Sequence, residues 1–236
     1  MRIWDIDPGF LNDKSLLGEH REIHGIFNIL TQGKKGYARH PETLRWNGCL
    51  PALCLRHAVL VGEMHLRGFN HQSPMVPDRT AGSPVWPQTF IDPPHHQVTL
   101  LREKYRSKPM GRIPLPRNSH TLWAAHKYSV MARDPALYSD IGPRVAHKKI
   151  SFPDLFSLVV TILRQPPTPG RRFNALAHMW GYATDKPDLD IRALPPLDLL
   201  GLIREQTRTQ EIGYLDQSTA LGELEAFCRD EEPWNG

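Results

Sequence analysis

Hydrophobic residues recur along the chain at the three- and four-residue spacing of α-helices. Between Leu16 and Gln32 this spacing is regular and Gly33 follows it, which predicts an amphipathic helix with a C-terminal glycine cap. A second helix is predicted from near Pro51 to Gly68. The sequence shows neither strand-like alternation nor an internal repeat, so the pattern predicts an all-α fold.

The second half of the sequence predicts further helices, separated by prolines and helix-capping residues. Helices are predicted at 96–106, 119–131, 135–146, 151–160, 171–182, 196–203 and 218–227. Six prolines between residues 73 and 95 predict an irregular linker or wrapping strap. We therefore expect an N-terminal helical domain at 1–74, a proline-rich and basic connector at 75–118, and a C-terminal helical domain at 119–236.

Charge is unevenly distributed, although the net charge is only +4. Residues 101–150 contain eleven Lys and Arg against three Asp and Glu, whereas residues 151–236 contain eight against thirteen. This asymmetry favours a polyanionic partner, with a solvated basic surface as the alternative. The sequence has no apolar run of bilayer length, no signal peptide at its start, and three cysteines without metal-ligand spacing. These features predict a cytoplasmic protein with reduced cysteines.

The start of the chain contains a first group of residues that could carry out a reaction, because Met1 and Arg2 precede a helix bearing Arg21 and Glu22. An α-amino group has a pKa of about 7.7–8.0, so part of it is nucleophilic at neutral pH. Its attack on a sugar C1′ gives an imine, which eases β-elimination of the 3′ phosphate. A nearby carboxylate can stabilise the cationic sugar and move protons, and arginines can hold phosphates.

The same region contains Met1-Arg2-Ile3, 17–22, Phe27 and 33–35, followed by Leu55-Arg56, Leu60, Glu63 and 66–70. On these residues, about residues 1–74 of the chain resemble the phage-type pyrimidine-dimer DNA glycosylases (denV-type endonucleases). This resemblance implies a small all-α enzyme that cleaves the glycosidic bond of a cyclobutane pyrimidine dimer through its N-terminal amine and then nicks the abasic strand. It further implies Met1 as the nucleophile and Glu22 as the catalytic carboxylate. Arg2, Arg21, Lys34 and Lys35 correspond to the family's basic positions.

The sequence departs from the family pattern at three positions. The family nucleophile is a threonine exposed by removal of the initiator methionine, whereas here the equivalent place is Met1, which the large Arg2 should retain. A family arginine falls on Gly25 and a family histidine on Ser15. These losses concern specificity for dimers more than the lyase chemistry. Further DNA contacts are expected from a group of basic and aromatic residues, namely Tyr37, Arg39, Trp46, Arg67 and Lys127.

Histidines form a second constellation, since His20 and His24 lie four residues apart on one helical face. His57, His65 or the His95-His96 pair could add a metal ligand. However, Glu22 stands one place late for the His-Glu-x-x-His pattern of zinc helices. No metal is therefore predicted, and His20, His24 and His57 are interpreted as residues of a polar groove, of the edge of the core, or in contact with phosphate.

The C-terminal region contains a third set of motifs, at 122–133 with Tyr138, 141–142 and 145–146, at 174–178 with 181–182, and at 214–217. On these residues, the region over about residues 119–220 resembles the YbgA-like domain, a family of poorly defined function found with repair enzymes and enzymes of modified bases. This resemblance implies a helical module that handles nucleic acid. His126, Lys127, Arg133, Asn174 and His178 could line one groove; alternatively, Asn174 and His178 are buried packing residues.

Together these features predict a DNA-repair glycosylase with AP-lyase activity on damaged pyrimidines, acting through a Schiff base and needing no cofactor. The expected partner is double-stranded DNA with a damaged or abasic site, in a cytoplasmic, nucleoid-associated setting, without a membrane or an obligate protein partner. Two alternatives stay open: a nucleic-acid-binding module without catalysis, and a metal-dependent enzyme acting on a modified base or nucleotide.

Overall fold

The computed structural model describes residues 1–75, 84–184 and 189–229. These residues form helices and connecting segments without a strand, which confirms the all-α class. The α-helices are α1 (Asp13–Gln32), α2 (Pro41–Arg45), α3 (Leu50–Leu66), α4 (Pro94–Lys104), α5 (Ser119–Met131), α6 (Pro135–Ala146), α7 (Phe152–Leu163), α8 (Pro169–Ala183), α9 (Pro196–Thr209), α10 (Gly213–Asp216), α11 (Ala220–Glu223) and α12 (Glu225–Cys228). Short 3-10 helices span Pro8–Phe10 and Ile191–Ala193. Within the described ranges, no helix has the length and apolar character needed to cross a membrane.

Local capping residues set the ends of the long helices. The Asn12 side chain accepts a hydrogen bond from the Ser15 backbone at the start of α1, and Gly33 ends this helix in the left-handed conformation with a φ of 63°. Asn118 and Thr121 form a reciprocal capping box at the start of α5. The principal helices predicted from the sequence are therefore present, with boundaries close to those expected.

The short helices follow tertiary contacts that the sequence pattern does not contain. A single helix was expected at 218–227, but this segment forms α11 and α12, and α2 and α10 were not expected. Helix α11 lies so close to α3 that a Cβ at Gly62 or Gly222 would overlap atoms of the opposite helix. The Thr219 backbone also donates a hydrogen bond to the Ala125 carbonyl of α5 at 2.9 Å. These contacts on two sides direct the path of the segment.

Buried apolar side chains form two clusters that do not follow the expected boundary at residues 118 and 119. The first cluster joins the N-terminal region to α4 and to residues of α5, α6 and α7 such as Leu122, Ile141 and Phe156. The second contains residues of α8 to α12 together with the end of α5. Helix α5 therefore contributes to both clusters.

The connector between the two regions packs against the first cluster. Its residues Val98, Leu101 and Ile113 are buried, and the Trp86 indole donates a hydrogen bond to the Arg164 carbonyl at 2.8 Å. The expected wrapping strap is thus packed on the protein over its described part. Residues 76–83 of the expected connector, and residues 185–188 and 230–236 of the expected C-terminal domain, lie outside the described residues.

Candidate active site and histidine cluster

The first four residues run along one face of α1, antiparallel to it. The Trp4 backbone donates a hydrogen bond to Glu19 Oε1 at 3.3 Å. Three residues earlier in the chain, the Met1 methyl lies 3.9 Å from the position that a Cβ would take at Gly25. Because residues three apart are neighbours on a helix surface, positions 19, 22 and 25 form one stripe. The two contacts therefore bracket Glu22.

Glu19 anchors this arrangement from inside the protein. Its carboxylate receives hydrogen bonds from Arg56 Nε at 2.8 Å and from Arg56 Nη2 at 3.0 Å. Burial raises the pKa of Glu19, and the neighbouring Arg56 only partly opposes this effect. The Arg56 guanidinium also donates to the Ile6 carbonyl at 2.9 Å, so the ion pair fixes the N-terminal segment at two points.

Glu22 and Met1 are both half-buried, and both lie at this surface. In the described part of the chain, the Glu22 carboxylate has no hydrogen bond or ion pair to another residue. The Met1 amine likewise forms no ion pair with a carboxylate of the described residues. The Met1 sulfur accepts a hydrogen bond from Thr43 Oγ1 of α2 at 3.8 Å. Met1 is therefore held through its side chain, between α1 and α2.

The two arginines expected to act beside Met1, Arg2 and Arg21, differ in what their side chains contact. Arg2 is partly engaged, since its guanidinium bonds Asp92 at 2.5 Å and lies 4.6 Å from the centre of the Trp4 ring. Its Nε and Nη2 atoms are shielded from solvent and have no partner among the described residues. Arg21 is exposed.

An exposed basic loop joins the two helices that contact Met1. It connects the end of α1 to α2, and Lys34, Lys35 and Arg39 are all exposed on it. Tyr37 has a φ of 56° and an exposed fraction of 70%. The structure therefore presents four of the expected DNA-contacting side chains on one short loop.

For two other residues, Trp46 and Arg67, the prediction of a DNA contact is wrong in this structure. Trp46 is buried in the first apolar cluster, with 1% exposure, and its indole nitrogen donates to Glu42 at 3.0 Å. Arg67 caps α3 and ties it to the 3-10 helix region, donating to Glu63 at 2.8 Å and to the Leu11 carbonyl at 2.7 Å. Both side chains are committed to internal partners, so neither is free to contact DNA.

The histidines of α1 and α3 converge with one histidine that the spacing argument missed. His57 Nε2 lies 3.2 Å from the Nε2 atoms of both His20 and His24. His71 Nε2, from the segment after α3, lies 3.1 Å from His20 Nε2. The ligand atoms of all four residues lie within 4.8 Å of one another. The signal available in the sequence was a histidine shortly after the end of a helix that already carries His57.

All four imidazoles favour the neutral form. Burial lowers the pKa of His20 to about 4 and that of His57 to about 3, and the neighbouring histidines lower both further. Burial also lowers the pKa of His24 and His71, while a hydrogen bond to the Ser73 backbone opposes this in each case. The cluster therefore presents ring lone pairs at neutral pH.

The other candidate ligands named from the sequence lie elsewhere. His65 Nδ1 lies 2.6 Å from Glu225 Oε1 and 2.8 Å from Arg229 Nη2. His96 lies 3.6 Å from Asp92. His95 is half-buried outside the cluster of four, and its Nδ1 has no partner among the described residues.

The C-terminal groove expected from the sequence is not formed by all of its proposed residues. His126 is buried and its Nδ1 lies 3.0 Å from the Leu122 carbonyl, so its place in a groove is corrected to a place in the core. Burial lowers the pKa of His126 to about 4. Arg133, also buried, donates to Glu223 at 2.9 Å. Both side chains therefore stabilise the packing of α5.

Lys127, Asn174 and His178 are less enclosed. The Lys127 ammonium lies 4.4 Å from the centre of the Tyr214 ring and 4.8 Å from that of Tyr128, and burial lowers its pKa. Asn174 is half-buried and His178 is exposed, four residues apart on α8. A phosphate contact by Lys127 would require it to leave its aromatic neighbours.

Comparison with known families finds one match in the N-terminal part of the chain and another in the C-terminal part. A family model described as pyrimidine dimer DNA glycosylase matches residues 1–76. A second model, described as a protein of unknown function (DUF1722), matches residues 127–194 and corresponds to the YbgA-like resemblance. Both resemblances are therefore confirmed, and the first supports a glycosylase-like role for the N-terminal region. Searches of curated proteins and of solved structures gave no significant match.

Proposed function

We propose that this protein is a DNA glycosylase with AP-lyase activity on damaged pyrimidines, with the Met1 amine as nucleophile and Glu22 as its acid–base partner. The observation that carries the proposal is the antiparallel course of the first four residues along α1. Contacts at Gly25 and Glu19 bracket Glu22 between them. The match of residues 1–76 to the pyrimidine dimer glycosylase model supports the substrate class.

Gly25 suits a chain that keeps its initiator methionine. A side chain at this position would point into the space beside the Met1 methyl, which lies 3.9 Å from the ideal Cβ position. The absence of the arginine that the family resemblance implies here therefore leaves room for a longer first residue. In this account Met1 is secured through its thioether and the backbone amine does the chemistry.

The proposed reaction begins with attack of the unprotonated amine on C1′ of the damaged nucleotide. The base leaves with the electrons of the glycosidic bond and takes up a proton. The nitrogen then loses a proton, the C1′–O4′ bond breaks, and O4′ takes up a proton, which gives an imine between Met1 and the opened sugar. Removal of a C2′ proton then breaks the C3′–O bond and releases the 3′ phosphate. Glu22 stabilises the cationic sugar and transfers protons, and water hydrolyses the imine to restore the amine.

The exposed cations near Met1 fit a duplex partner. Arg21, Lys34, Lys35 and Arg39 can contact phosphates without breaking internal ion pairs among the described residues. Tyr37 offers an exposed ring for stacking. Since the reacting C1′ is shielded in an intact duplex, binding must distort the DNA or extrude the lesion.

Substitution Glu22→Gln tests the proposal. It keeps the size of the side chain but removes proton transfer, so cleavage of a duplex containing a pyrimidine dimer should fall by roughly 100-fold or more, with binding nearly unchanged. Glu103→Gln is the matched control, because Glu103 is exposed on α4 and its ion pair among the described residues is a long one, to Arg106 at 4.0 Å. Cleavage that survives in Glu22→Gln would remove Glu22 from the mechanism. A wild-type protein that binds DNA but never cleaves it would support the module without catalysis.

A further inference from the structure

Four imidazoles from three segments of the chain meet at one point, and this cluster is separate from the proposed catalytic pair. His20 and His24 come from α1, His57 from α3, and His71 from the segment that follows α3. We propose that these four residues bind one Zn²⁺ ion through their Nε2 atoms. The proposal does not rest on the glycosylase function.

The nitrogen separations are those of a nearly assembled metal site. Zinc binds imidazole nitrogen at about 2.0–2.1 Å, which in a tetrahedron separates neighbouring ligand nitrogens by about 3.3–3.4 Å. Three of the Nε2 pairs lie 3.1 to 3.2 Å apart. All ligand atoms lie within 4.8 Å, so the wider pairs close by rotations that move a nitrogen by about 1.5 Å at most.

Hydrogen bonding among the rings does not account for this convergence. A ring nitrogen has one in-plane direction, which carries either a proton or a lone pair. The contacts run in a chain from His24 to His57, His20 and His71. If each nitrogen is either a donor or an acceptor, at most two of the three contacts can be hydrogen bonds. A cation at the centre uses all four lone pairs at once.

The surroundings of the cluster suit metal binding. The imidazoles favour the neutral form because burial disfavours their protonation, and neutral imidazole is the ligand form. Imidazole donors suit Zn²⁺, Cu²⁺ and Ni²⁺ rather than Mg²⁺ or Ca²⁺. A pocket of about 490 Å³, lined by His57, His71 and Arg229 among others, reaches the cluster and provides a path for the ion.

The geometry of α1 separates this site from Glu22. Positions 20 and 24 lie about 40° apart around the helix axis, whereas position 22 lies about 200° from position 20. The ion would therefore face α3 while Glu22 faces the N-terminal segment. With four protein ligands the site would be closed, and its role would be to hold α1, α3 and the segment containing His71 together.

Zinc content of the full-length protein tests the site directly. Protein stripped with a chelator, dialysed against Zn²⁺ and analysed by mass spectrometry should retain about one zinc per chain. His24→Ala and His71→Ala should each lower the affinity measured against a chromogenic chelator by roughly 100-fold or more. Zn²⁺ should also raise the Tm of the wild-type protein but not that of these variants.

His120→Ala is the matched control, because His120 is exposed on α5 outside the cluster. It should bind zinc like the wild-type protein. His71→Gln offers a milder variant should His71→Ala fail to fold, since a side-chain amide preserves volume but not a strong zinc ligand. A wild-type protein that retains no zinc would overturn the proposal, and so would unchanged affinity in folded His24 and His71 variants. Strand cleavage is measured separately, so failure of the glycosylase proposal leaves this outcome unaffected.

Discussion

Two glutamates on the same stripe of α1 differ in what surrounds them, and this difference assigns their roles. Glu19 is buried and doubly bonded to Arg56, whereas Glu22 is half-buried without a partner among the described residues. A buried carboxylate that accepts these two hydrogen bonds and a third from the Trp4 backbone is poorly placed to exchange protons with substrate. The partly exposed one is the better acid–base group. Sequence position alone did not predict that Glu19 is buried and that Glu22 is partly exposed.

The buried carboxyl of Asp7 should make the stability of the folded protein depend on pH. Burial raises its pKa from 3.8 to about 8, and Glu223 and Glu63 add to this effect while the Gly9 backbone and Arg112 oppose it. The folded protein therefore binds a proton that the unfolded chain has lost, so stability should fall as pH rises from about 4 to about 8. Asp7→Asn keeps an acceptor for the Gly9 amide and should flatten this profile.

Urea unfolding at several pH values measures the effect. Near pH 8, Asp7→Asn should gain stability over the wild-type protein by an amount on the order of a few kcal/mol. Asp140→Asn serves as the control, because Asp140 is exposed and its ion-pair partner within the described residues is Arg144 on the same helix. Parallel pH profiles for the wild-type protein and Asp7→Asn would contradict the raised pKa.

Chemical type was predictable for individual residues, but burial was often not. Trp46, Arg67 and His126 have side chains suited to DNA, and each is occupied inside the protein. Glu42 and the Leu122 carbonyl lie four residues before Trp46 and His126, whereas the Leu11 carbonyl that Arg67 bonds lies 56 residues earlier. Spacing along the chain does not predict that packing encloses these side chains, whereas the exposed run from Lys34 to Arg39 was visible from its composition.

At the element scale, the loop between α1 and α2 should carry a measurable share of DNA affinity. Both Lys34 and Lys35 are exposed on it. Each phosphate contact contributes about −0.9 to the slope of log K against log salt concentration. The double substitution Lys34→Ala with Lys35→Ala should therefore make the slope less negative by about 1.8 if each lysine neutralises one phosphate.

Fluorescence anisotropy of duplex binding over a range of salt concentrations gives this slope. Arg67→Met provides the contrasting case, since Arg67 bonds Glu63 and backbone carbonyls. It should cost about 3 kcal/mol of stability and leave the slope unchanged. An unchanged slope for the double lysine variant would place the DNA on another surface.

Helix prediction succeeded where local signals were strong and failed where packing decided the path. Helix α1 begins after Asn12 and ends at Gly33, and both residues act through their own capping geometry. The segment of α11 and α12 instead bends to fit Gly62 of α3 and the Ala125 carbonyl of α5. The meeting of His71 with His20 likewise depends on how the chain returns after α3. None of these close contacts between distant segments is indicated by the local sequence.

At the scale of the whole molecule, the two family matches do not correspond to two separate cores. The first apolar cluster includes Leu122, Ile141 and Phe156, which lie beyond the end of the connector. A chain ending at residue 118 would leave their partners exposed to water. Residues 1–118 alone should therefore lack a cooperative thermal transition.

Circular dichroism of residues 1–118 against the full-length protein tests this dependence. The shorter chain should show reduced helicity per residue and a broad, non-cooperative melting curve. A sharp transition with native-like helicity would show that the N-terminal region folds independently. Arg133, just after the end of α5, pairs with Glu223 of α11 at 2.9 Å and further joins the two clusters.

The central claim is that the backbone amine of Met1 forms an imine with the sugar. Borohydride reduction during reaction with abasic-site DNA, followed by mass spectrometry of the cross-linked peptide, tests it most directly. A protein with a free N-terminus should give a covalent adduct on the Met1 α-amine, and an uncleaved N-terminal tag should abolish it. An adduct on a lysine such as Lys34, or no adduct from a protein that binds the DNA, would contradict the claim.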